Sequence, residues 1–592
     1  LGYDVRLEFR LRTRYDGGCD ALTGVEAMSS IFTDIDAETM ELILPELIML
    51  AGMLAMILIP NLGDATMRIP LTKTRVPILF GGTRFASTNN PKVPNQIAST
   101  TFGLALVSAF LFIHSEGDVG NALHVDEFSR LFTIIFTAAL LLATIATTHR
   151  LPARPKVTAP IETDSLARAD AKINALIDNR RQVDFHILLV TTGLGMSLMA
   201  MATNLFMLFV CLELASLSSY ILVAFHKEID VGGEAGTKYF IVGSVVSAVG
   251  IYGMSLLYLW NGNLDMADLE ASWDAMETMD PFASIGVGLM LVAFAFKVGA
   301  APFHLAVPDA YAGASSPVAG VLATASKAMG FVALMRLLLI VTMPVAGEAF
   351  WFAVLAIIAV VTMTWGNLAA LTSDNPKRIL AYSSVAHAGY MLAALTAIGS
   401  GLADTDATAL LMTAVLFHLV VLLLFKFGAF LVLSMLETEG RSHRLEDLHG
   451  LARRDPIVAA SMFIFMLSLA GVPPLSGFLS KLLMINGIVN VSAGTGALSS
   501  TSIASWAQGV NPVFWLAVAI VLNSALSLFY YLRIGLVMFF EAPESEKRLK
   551  RAGSLRMAIV GCALLTLLFG FGPMSESLLD LVSVAVDSFT GN

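Results

Sequence analysis

Runs of about twenty apolar residues recur along the chain, and no other feature limits its fold so tightly. About 20 such residues cross a bilayer as a helix, because lipid offers no partners to exposed backbone groups. Fourteen windows qualify, in rough limits 41–60, 98–114, 127–148, 184–202, 204–226, 236–261, 282–305, 313–343, 348–372, 377–399, 405–437, 454–490, 512–537 and 555–582. The second is short and polar at its start. The expected class is an all-α membrane protein with about 14 transmembrane helices. Composition agrees. Of 592 residues, 56% are hydrophobic and only 14% charged, against about 25% charged in a soluble chain. Mean hydropathy is +0.75. The net charge of -10 does not point to a charged partner, since in a membrane protein the position of charges matters more than their sum. Lipid is the expected neighbour, and nothing suggests nucleic acid.

The loops order these windows. Lys and Arg gather on the cytoplasmic side of membrane proteins. Alternate loops starting with 61–97, counted with their flanking residues, carry 24 Lys and Arg, whereas the opposite set and the C-terminal tail carry none. A wrong number of windows would scramble that alternation. Both ends are therefore expected on the outer, periplasmic-type face. Residues 1–40 stand apart. They are polar, and Arg6, Arg10, Arg12 and Arg14 break the charge rule. No apolar core follows directly, while Met28-Ser29-Ser30 resembles an ordinary start. The segment reads as an extension, a presequence remnant or a misassigned start, and is left out of the fold.

Two windows are broken by proline. The seventh holds Lys297 and is interrupted at Pro302; the twelfth is interrupted at Pro473-Pro474, before Lys481. Proline frees backbone carbonyls, which persist inside a membrane only where protein or water covers them. Windows 4–8 and 9–13 each contain five helices with the fourth broken. Odd and even windows run in opposite directions, so the two sets are expected to be inverted repeats, as in many transporters. The domain plan is a polar extension (1–40), helices 1–3 (41–148), a cytoplasmic-side loop (149–183), a first repeat (184–343), a second repeat (348–537), and a loop with the last helix (538–592). The loop 149–183, with many Ala, Asp and Arg residues, is expected to be a solvated linker or a subunit contact.

Cys19, Cys211 and Cys562 form no CxxC or Cys/His cluster, and no GxGxxG or P-loop occurs. Metal, iron–sulfur and nucleotide chemistry are therefore not indicated on this chain. Ionisable residues inside the windows are more informative. Lys238, Arg130, Arg336 and Arg533 lie near window ends, where long side chains can reach the interface; that is the expectation for the three arginines. Glu213 sits in mid-window, and Lys297, Lys327, Lys426 and Lys481 lie deep in windows 7, 8, 11 and 12. Each costs at least about 2.5–3.5 kcal/mol on insertion scales, and by default marks a site. One carboxylate cannot neutralise four lysines. A static salt bridge accounts for Glu213 with one lysine and leaves the others unexplained. Some of the lysines must be neutral part of the time, or hydrated. A lysine balanced between desolvation and a nearby carboxylate can take and release a proton, which is what a proton path needs. His304, His387 and His418 are each more simply a hydrogen-bonded interior histidine than a relay. His304, just past Pro302, is the best relay candidate of the three. Gly-rich and Met-rich stretches read as packing.

Longer stretches around these residues carry a resemblance. Phe296-Lys297, Ala301-Pro302-Phe303-His304-Leu305 and Pro308-Asp309-Ala310-Tyr311 resemble the seventh-span motif of the antiporter-like membrane subunits of proton-pumping NADH:quinone oxidoreductase (complex I). Ala323-Thr324-Ala325-Ser326-Lys327 is similar to the eighth-span motif of its N-type branch. Asn375 to Ser384, continuing to His387-Ala388-Gly389-Tyr390, resembles the start of the tenth span. Leu469 to Pro474, then Gly477-Phe478 and Lys481, resembles the broken twelfth span, and Tyr530-Tyr531-Leu532-Arg533 the end of the thirteenth. The likeness covers about residues 40–580. Lysine at 481 favours the N type over the M type, which usually has glutamate there.

The resemblance implies a role for each residue. Glu213 and Lys297 would form the charged pair of a first half-channel. Lys238, in Glu234-Ala235-Gly236-Thr237-Lys238-Tyr239, matches a functional lysine. Lys327 would connect the halves, and Lys481 would serve the second. His304 and Lys426 are further relay candidates. Lys426 departs from the N type, which often has a neutral residue there, and is closer to the L-type and Mrp antiporter subunits. The resemblance further implies a translocase subunit without a cofactor of its own. NADH, flavin, iron–sulfur clusters and quinone would be handled by other subunits. Its partners would be membrane-arm subunits, including an M-like and small K- and J-like subunits. It would lie in a bacterial inner membrane, or alternatively a mitochondrial inner membrane or thylakoid. Two rival readings remain: an Mrp-type cation/proton antiporter subunit without redox coupling, and an inert spacer, which would gain nothing from deep lysines.

Overall fold

A computed structural model describes residues 37–59, 62–68, 75–79, 92–148, 165–226, 230–342, 352–439, 444–493, 511–543, 548–549 and 552–590. The expectations for Arg6 to Arg14, Cys19 and Met28, and for loop residues 149–164, lie outside the described residues. The helices in chain order are α1 (Ala37–Leu42), α2 (Leu44–Leu58), α3 (Val93–Leu111), α4 (Glu127–Thr147), α5 (Ser165–Ala200), α6 (Leu205–Val223), α7 (Asp230–Asn261), α8 (Met266–Asp274), α9 (Pro281–Val298), α10 (Val307–Gly313) and α11 (Ser316–Ala323). They continue as α12 (Ala325–Met335), α13 (Phe352–Leu371), α14 (Pro376–Ile398), α15 (Thr405–Leu422), α16 (Gly428–Glu437), α17 (Leu451–Arg454), α18 (Pro456–Ala470), α19 (Ser476–Ala493), α20 (Phe514–Phe540), α21 (Gly553–Leu568) and α22 (Pro573–Thr590).

Local sequence explains where these helices start. Asn204, Asp280, Asn375, Asp404 and Asp455 each accept a backbone N–H at the start of α6, α9, α14, α15 and α18. At α9, α14 and α18 a proline follows in the first turn, where its missing N–H costs nothing. Among the described residues, ten helices are long and apolar enough to cross a membrane, or eleven if α21 and α22, bent by 87°, form one span. The apolar α2 and α18 are shorter. The protein is thus a multi-pass helical membrane protein. Its centre is the stretch Ser316–Val341, α14 and Thr405–Glu437, whose apolar windows are 89%, 94% and 89% buried; Val231–Asn261 is only 33% buried and lies at the rim.

Both proline breaks are present and have the same shape. α9 ends at Gly299 (φ 77) and α18 at Gly471 (φ 84), each in a left-handed conformation that favours glycine. A proline follows three residues after each glycine, at Pro302 and Pro474. Among the described residues the chain departs from regular α-helix elsewhere too, including a π-helical turn at Arg336–Val341. Thr324 (φ -121, ψ -78) separates α11 from α12, and a π-helical turn at Leu423–Phe427 separates α15 from α16.

Several expectations need correction. α5 reaches back to Ser165, into the stretch expected as loop, because Ala, Leu, Lys and Arg there are strong helix formers. The all-α expectation holds for the spans, but two short antiparallel hairpins occupy loops: Leu62–Arg68 with Arg75–Leu79, and Gly117–Val119 with Leu123–Val125. Arg130 and Arg336 do not reach the interface. They are 0% and 6% exposed. Arg130 donates to Leu42 O, lying 4.0 Å from Glu46, and Arg336 donates to Ala200 O at 2.6 Å. α4 is covered at this end by α2, α5, α12 and the C-terminal α22, whose Phe589 ring lies 4.4 Å from Phe128, so no interface is within reach. Arg533 behaves as expected: its side chain is 41% exposed and paired with Asp374.

Candidate functional site

Glu213, Ser216 and Tyr220 share one face of α6, because residues three, four and seven apart do so on a helix. Lys297 reaches this face from the last turn of α9. Its Nζ donates to Ser216 Oγ at 2.5 Å and to Tyr220 OH at 2.8 Å, and lies 3.9 Å from Glu213 Oε1. Ser247 on α7 donates to the same carboxylate oxygen at 2.7 Å. Lys297 is nearly fully buried, whereas the Glu213 side chain is 20% exposed. Glu213 and Lys297 are thus brought together with hydroxyls rather than in a tight ion pair. Breaking or making that last contact requires only a small side-chain motion.

Lys327 stands on α12, just after the irregularity at Thr324. The break in α9 leaves the carbonyl of Val298 without its helical partner, and Lys327 Nζ donates to it at 2.8 Å. A second donation goes to Ser384 O on α14 at 2.7 Å. The twelfth window repeats the arrangement. Lys481 on α19 donates to Leu469 O (2.8 Å) and Ala470 O (3.1 Å) at the broken end of α18, and to Ser524 Oγ on α20 (2.9 Å). A lysine amine therefore caps the carbonyl end of each interrupted helix.

A row of hydrogen-bonded side chains lies between the two centres, and reaches each lysine only through a residue next to it in sequence, Ser383 beside Ser384 and Ser480 beside Lys481. Ser384 follows Ser383, whose Oγ receives N–H from Lys426 (2.6 Å) and O–H from Tyr531 (2.6 Å). Tyr531 OH lies 3.4 Å from His387 Nε2. His387 Nδ1 lies 2.9 Å from His418 Nε2, and His418 Nδ1 lies 2.8 Å from Ser480 Oγ, next to Lys481. The short contact between the two ring nitrogens needs one donor and one acceptor, so moving one proton along the row inverts the roles of the next group. Lys426 sits on the π-helical turn, 0% exposed; such turns often mark functional positions.

Two predicted residues stand apart. Lys238 is half exposed and bonds Glu234 (2.6 Å) and Asp309 (3.0 Å), while Asp309 also bonds Arg378 (2.7 Å). His304 is buried near the Trp365 ring, and its Nδ1 has no hydrogen-bond partner. The ranking of the histidines is thus reversed in space: His387 and His418 lie in the row and His304 does not. Sequence reading passed over Ser216, Tyr220, Ser247, Ser383, Ser480 and Ser524. The spacing of Glu213, Ser216 and Tyr220 was a usable signal. The others meet only across elements far apart in the chain.

Residues 202–505, which contain Glu213, Lys297, Lys327, Lys426 and Lys481, match the family described as NADH:quinone oxidoreductase/Mrp antiporter, TM. NADH-quinone oxidoreductase subunit N of Heliobacterium modesticaldum is 37% identical over 399 residues, covering 67% of this chain and 77% of the relative. A chain of respiratory complex I from Thermus thermophilus superposes with a TM-score of 0.64 at 27% identity, covering 89% of this chain and 96% of that one. A chain of the Mrp complex from Dietzia sp. shares the fold, with a TM-score of 0.70 at 19% identity over 94% of this chain and 97% of that one.

Proposed function

The chain belongs to the NADH:quinone oxidoreductase/Mrp antiporter transmembrane family, and we propose that it works as the proton-translocating subunit N of a complex I membrane arm. The observation that carries this reading is the row of buried ionisable groups from Glu213 to Lys481, within the region that matches the family. Redox energy released in other subunits changes the contact between Glu213 and Lys297. Lys327 and then Lys481 change their proton occupancy in turn, with Ser383, Lys426, Tyr531, His387 and His418 between them. Each proton moves against about 2.3 kcal/mol per charge per 100 mV. Glu213, Lys297, Lys327 and Lys481 are the translocating residues in this scheme. Lys426 is a relay. Lys238 holds the cytoplasmic ends together through Asp309, and His304 lies beside the path.

The same proposal takes in the finer architecture. Fourteen spans with both ends outside give two inverted five-helix repeats, spans 4–8 and 9–13. The matched breaks at Gly299 and Gly471 support that symmetry. Flavin, iron–sulfur clusters and quinone are assigned to other subunits, with M-like and K- or J-like subunits as membrane neighbours in a bacterial inner membrane.

The Mrp antiporter reading draws on Lys426 and on the shared fold. Purifying the chain with its native partners separates the two. Co-isolated flavin and iron–sulfur subunits are expected; a complex of small membrane proteins alone would favour the antiporter.

A further inference from the structure

Lys481 differs from Lys297 in its company. Glu213 lies 3.9 Å from Lys297, whereas among the described residues no carboxylate pairs with Lys481. The Lys481 N–H bonds go to Leu469 O, Ala470 O and Ser524 Oγ, and its Nζ lies over the Tyr390 ring, 5.2 Å from the centre. A buried ammonium is costly, and here only neutral groups offset that cost: two carbonyls, a hydroxyl and the negative face of an aromatic ring. The ionisable groups around it are His387 on α14, His418 on α15 and Lys426 on the π-helical turn, which can only add positive charge. α18 carries no ionisable side chain, and α20 meets the lysine through Ser524.

One residue fixes two of these neutral partners. Asn367 is fully buried on α13, a helix whose apolar window is only 39% buried. Its Nδ2 donates to Tyr390 OH at 3.1 Å and to Asn523 O and Oδ1 at 3.0 and 3.1 Å, and its Oδ1 accepts from Tyr530 OH at 2.9 Å. The first contact holds the phenol whose ring faces Lys481. Asn523 precedes Ser524 on α20, so the second holds the turn that carries the hydroxyl. Asn523 Nδ2 donates back to Thr364 Oγ1 on α13 at 3.2 Å. Asn523 and Tyr530 are seven residues apart and share one face of α20, which is thereby tied at two points. The backbones of α13 and α14 meet beside this amide. A Cβ at Gly366 would lie 2.7 Å from Ala386 N, and one at Gly389 would lie 2.6 Å from Met363 N. Glycine at both positions brings Asn367 within reach of Tyr390.

We propose that Asn367 is a positioning residue for Lys481, holding the Tyr390 ring and the Ser524 hydroxyl where they stabilise the ammonium. The proposal rests on the pumping role proposed above. Near Lys297 a carboxylate balances the charge. Near Lys481 an amide that makes no bond to the lysine sets that balance through its neighbours. Without Asn367 the ring and α20 are free to shift. The ammonium then loses partners that the neutral amine does not need, so the lysine keeps its proton only at a higher proton concentration.

The test measures proton uptake per quinone reduced as a function of pH, with the assembled complex in inverted membrane vesicles. Asn367→Leu, close in volume and without the amide, is expected to assemble and to move the alkaline limb of that profile to lower pH. The expected size is about one pH unit, the scale of losing one partner of a desolvated cation. Tyr390→Phe, which keeps the ring and cuts its tie to Asn367, is expected to move the limb the same way by less. It carries the test should Asn367→Leu fail to assemble. A profile that is unchanged, or lowered by one factor at every pH, overturns the positioning role; a purely structural defect would lower it in that uniform way. Lys481→Ala in the same vesicles separates this role from pumping itself. If it abolishes pumping while the profiles do not shift, only the role of Asn367 is wrong; if it pumps normally, the pumping role of Lys481 falls as well.

Discussion

Lys426 shows at the scale of a single residue why buried charge deserves a functional reading. It is fully buried and bonded to one neutral hydroxyl, Ser383. A charge so placed is costly, and replacing it by an apolar side chain of similar volume is often neutral or stabilising. Lys426→Met is therefore expected to leave the thermal stability of the complex unchanged, within about 1 kcal/mol, while lowering proton uptake severalfold. A variant that pumps normally would make Lys426 a static residue. The deep charges were legible in sequence because an ionisable residue in an apolar run stands out by itself. Arg130 and Arg336 were misjudged for the same reason that the serines were missed. Whether a residue near a helix end meets water or protein depends on neighbours far away in the chain, here α2, α5 and α22 against α4.

At the scale of the element, the broken helices were legible from proline, but their use was not. Each break exposes carbonyls that a lysine from another helix caps. The glycines before the prolines set this geometry. A non-glycine residue in the left-handed region costs about 1–2 kcal/mol. Gly471→Ala would pay that and would also put its Cβ 3.1 Å from Lys481 Cδ. At Gly299 the nearest contacts of an added Cβ are an ordinary 3.7 and 3.9 Å. Both variants are expected to lower the melting temperature of the purified complex by similar amounts. Gly471→Ala is expected to depress proton uptake further than Gly299→Ala, by displacing Lys481. Equal uptake in the two would argue that the capping lysine position is unimportant. The irregularity at Thr324 and the π-helical turn under Lys426 had no proline to announce them.

The whole molecule is tied together at one end by a buried ion pair. Lys377 on α14 bonds Glu437 at the end of α16 and donates to Ala314 O, while Glu437 accepts two N–H contacts from Ser316 at the start of α11. This joins the end of the first broken span to the second half of the chain. Removing one partner leaves a buried charge without its match, at a cost of about 3–5 kcal/mol. Lys377→Met is expected to reduce the yield of assembled complex, and the double variant with Glu437→Leu to restore most of it. Failure of the double variant to recover would mean that the pair acts through something other than its charge. That the chain is a multi-pass helical protein, with ten or eleven helices among the described residues long and apolar enough to cross a membrane, could be read from apolar length. The convergence of α11, α14 and α16 on a common centre could not, because packing partners leave no local signature in an apolar run.

The most direct test is Lys297→Ala in the native host, with quinone reduction by membranes and proton uptake into inverted vesicles measured together. Coupled pumping through the Glu213–Lys297 pair predicts that both activities fall sharply while the complex still assembles. Undiminished quinone reduction, with only sodium/proton exchange lost, would contradict it and put the antiporter reading in its place.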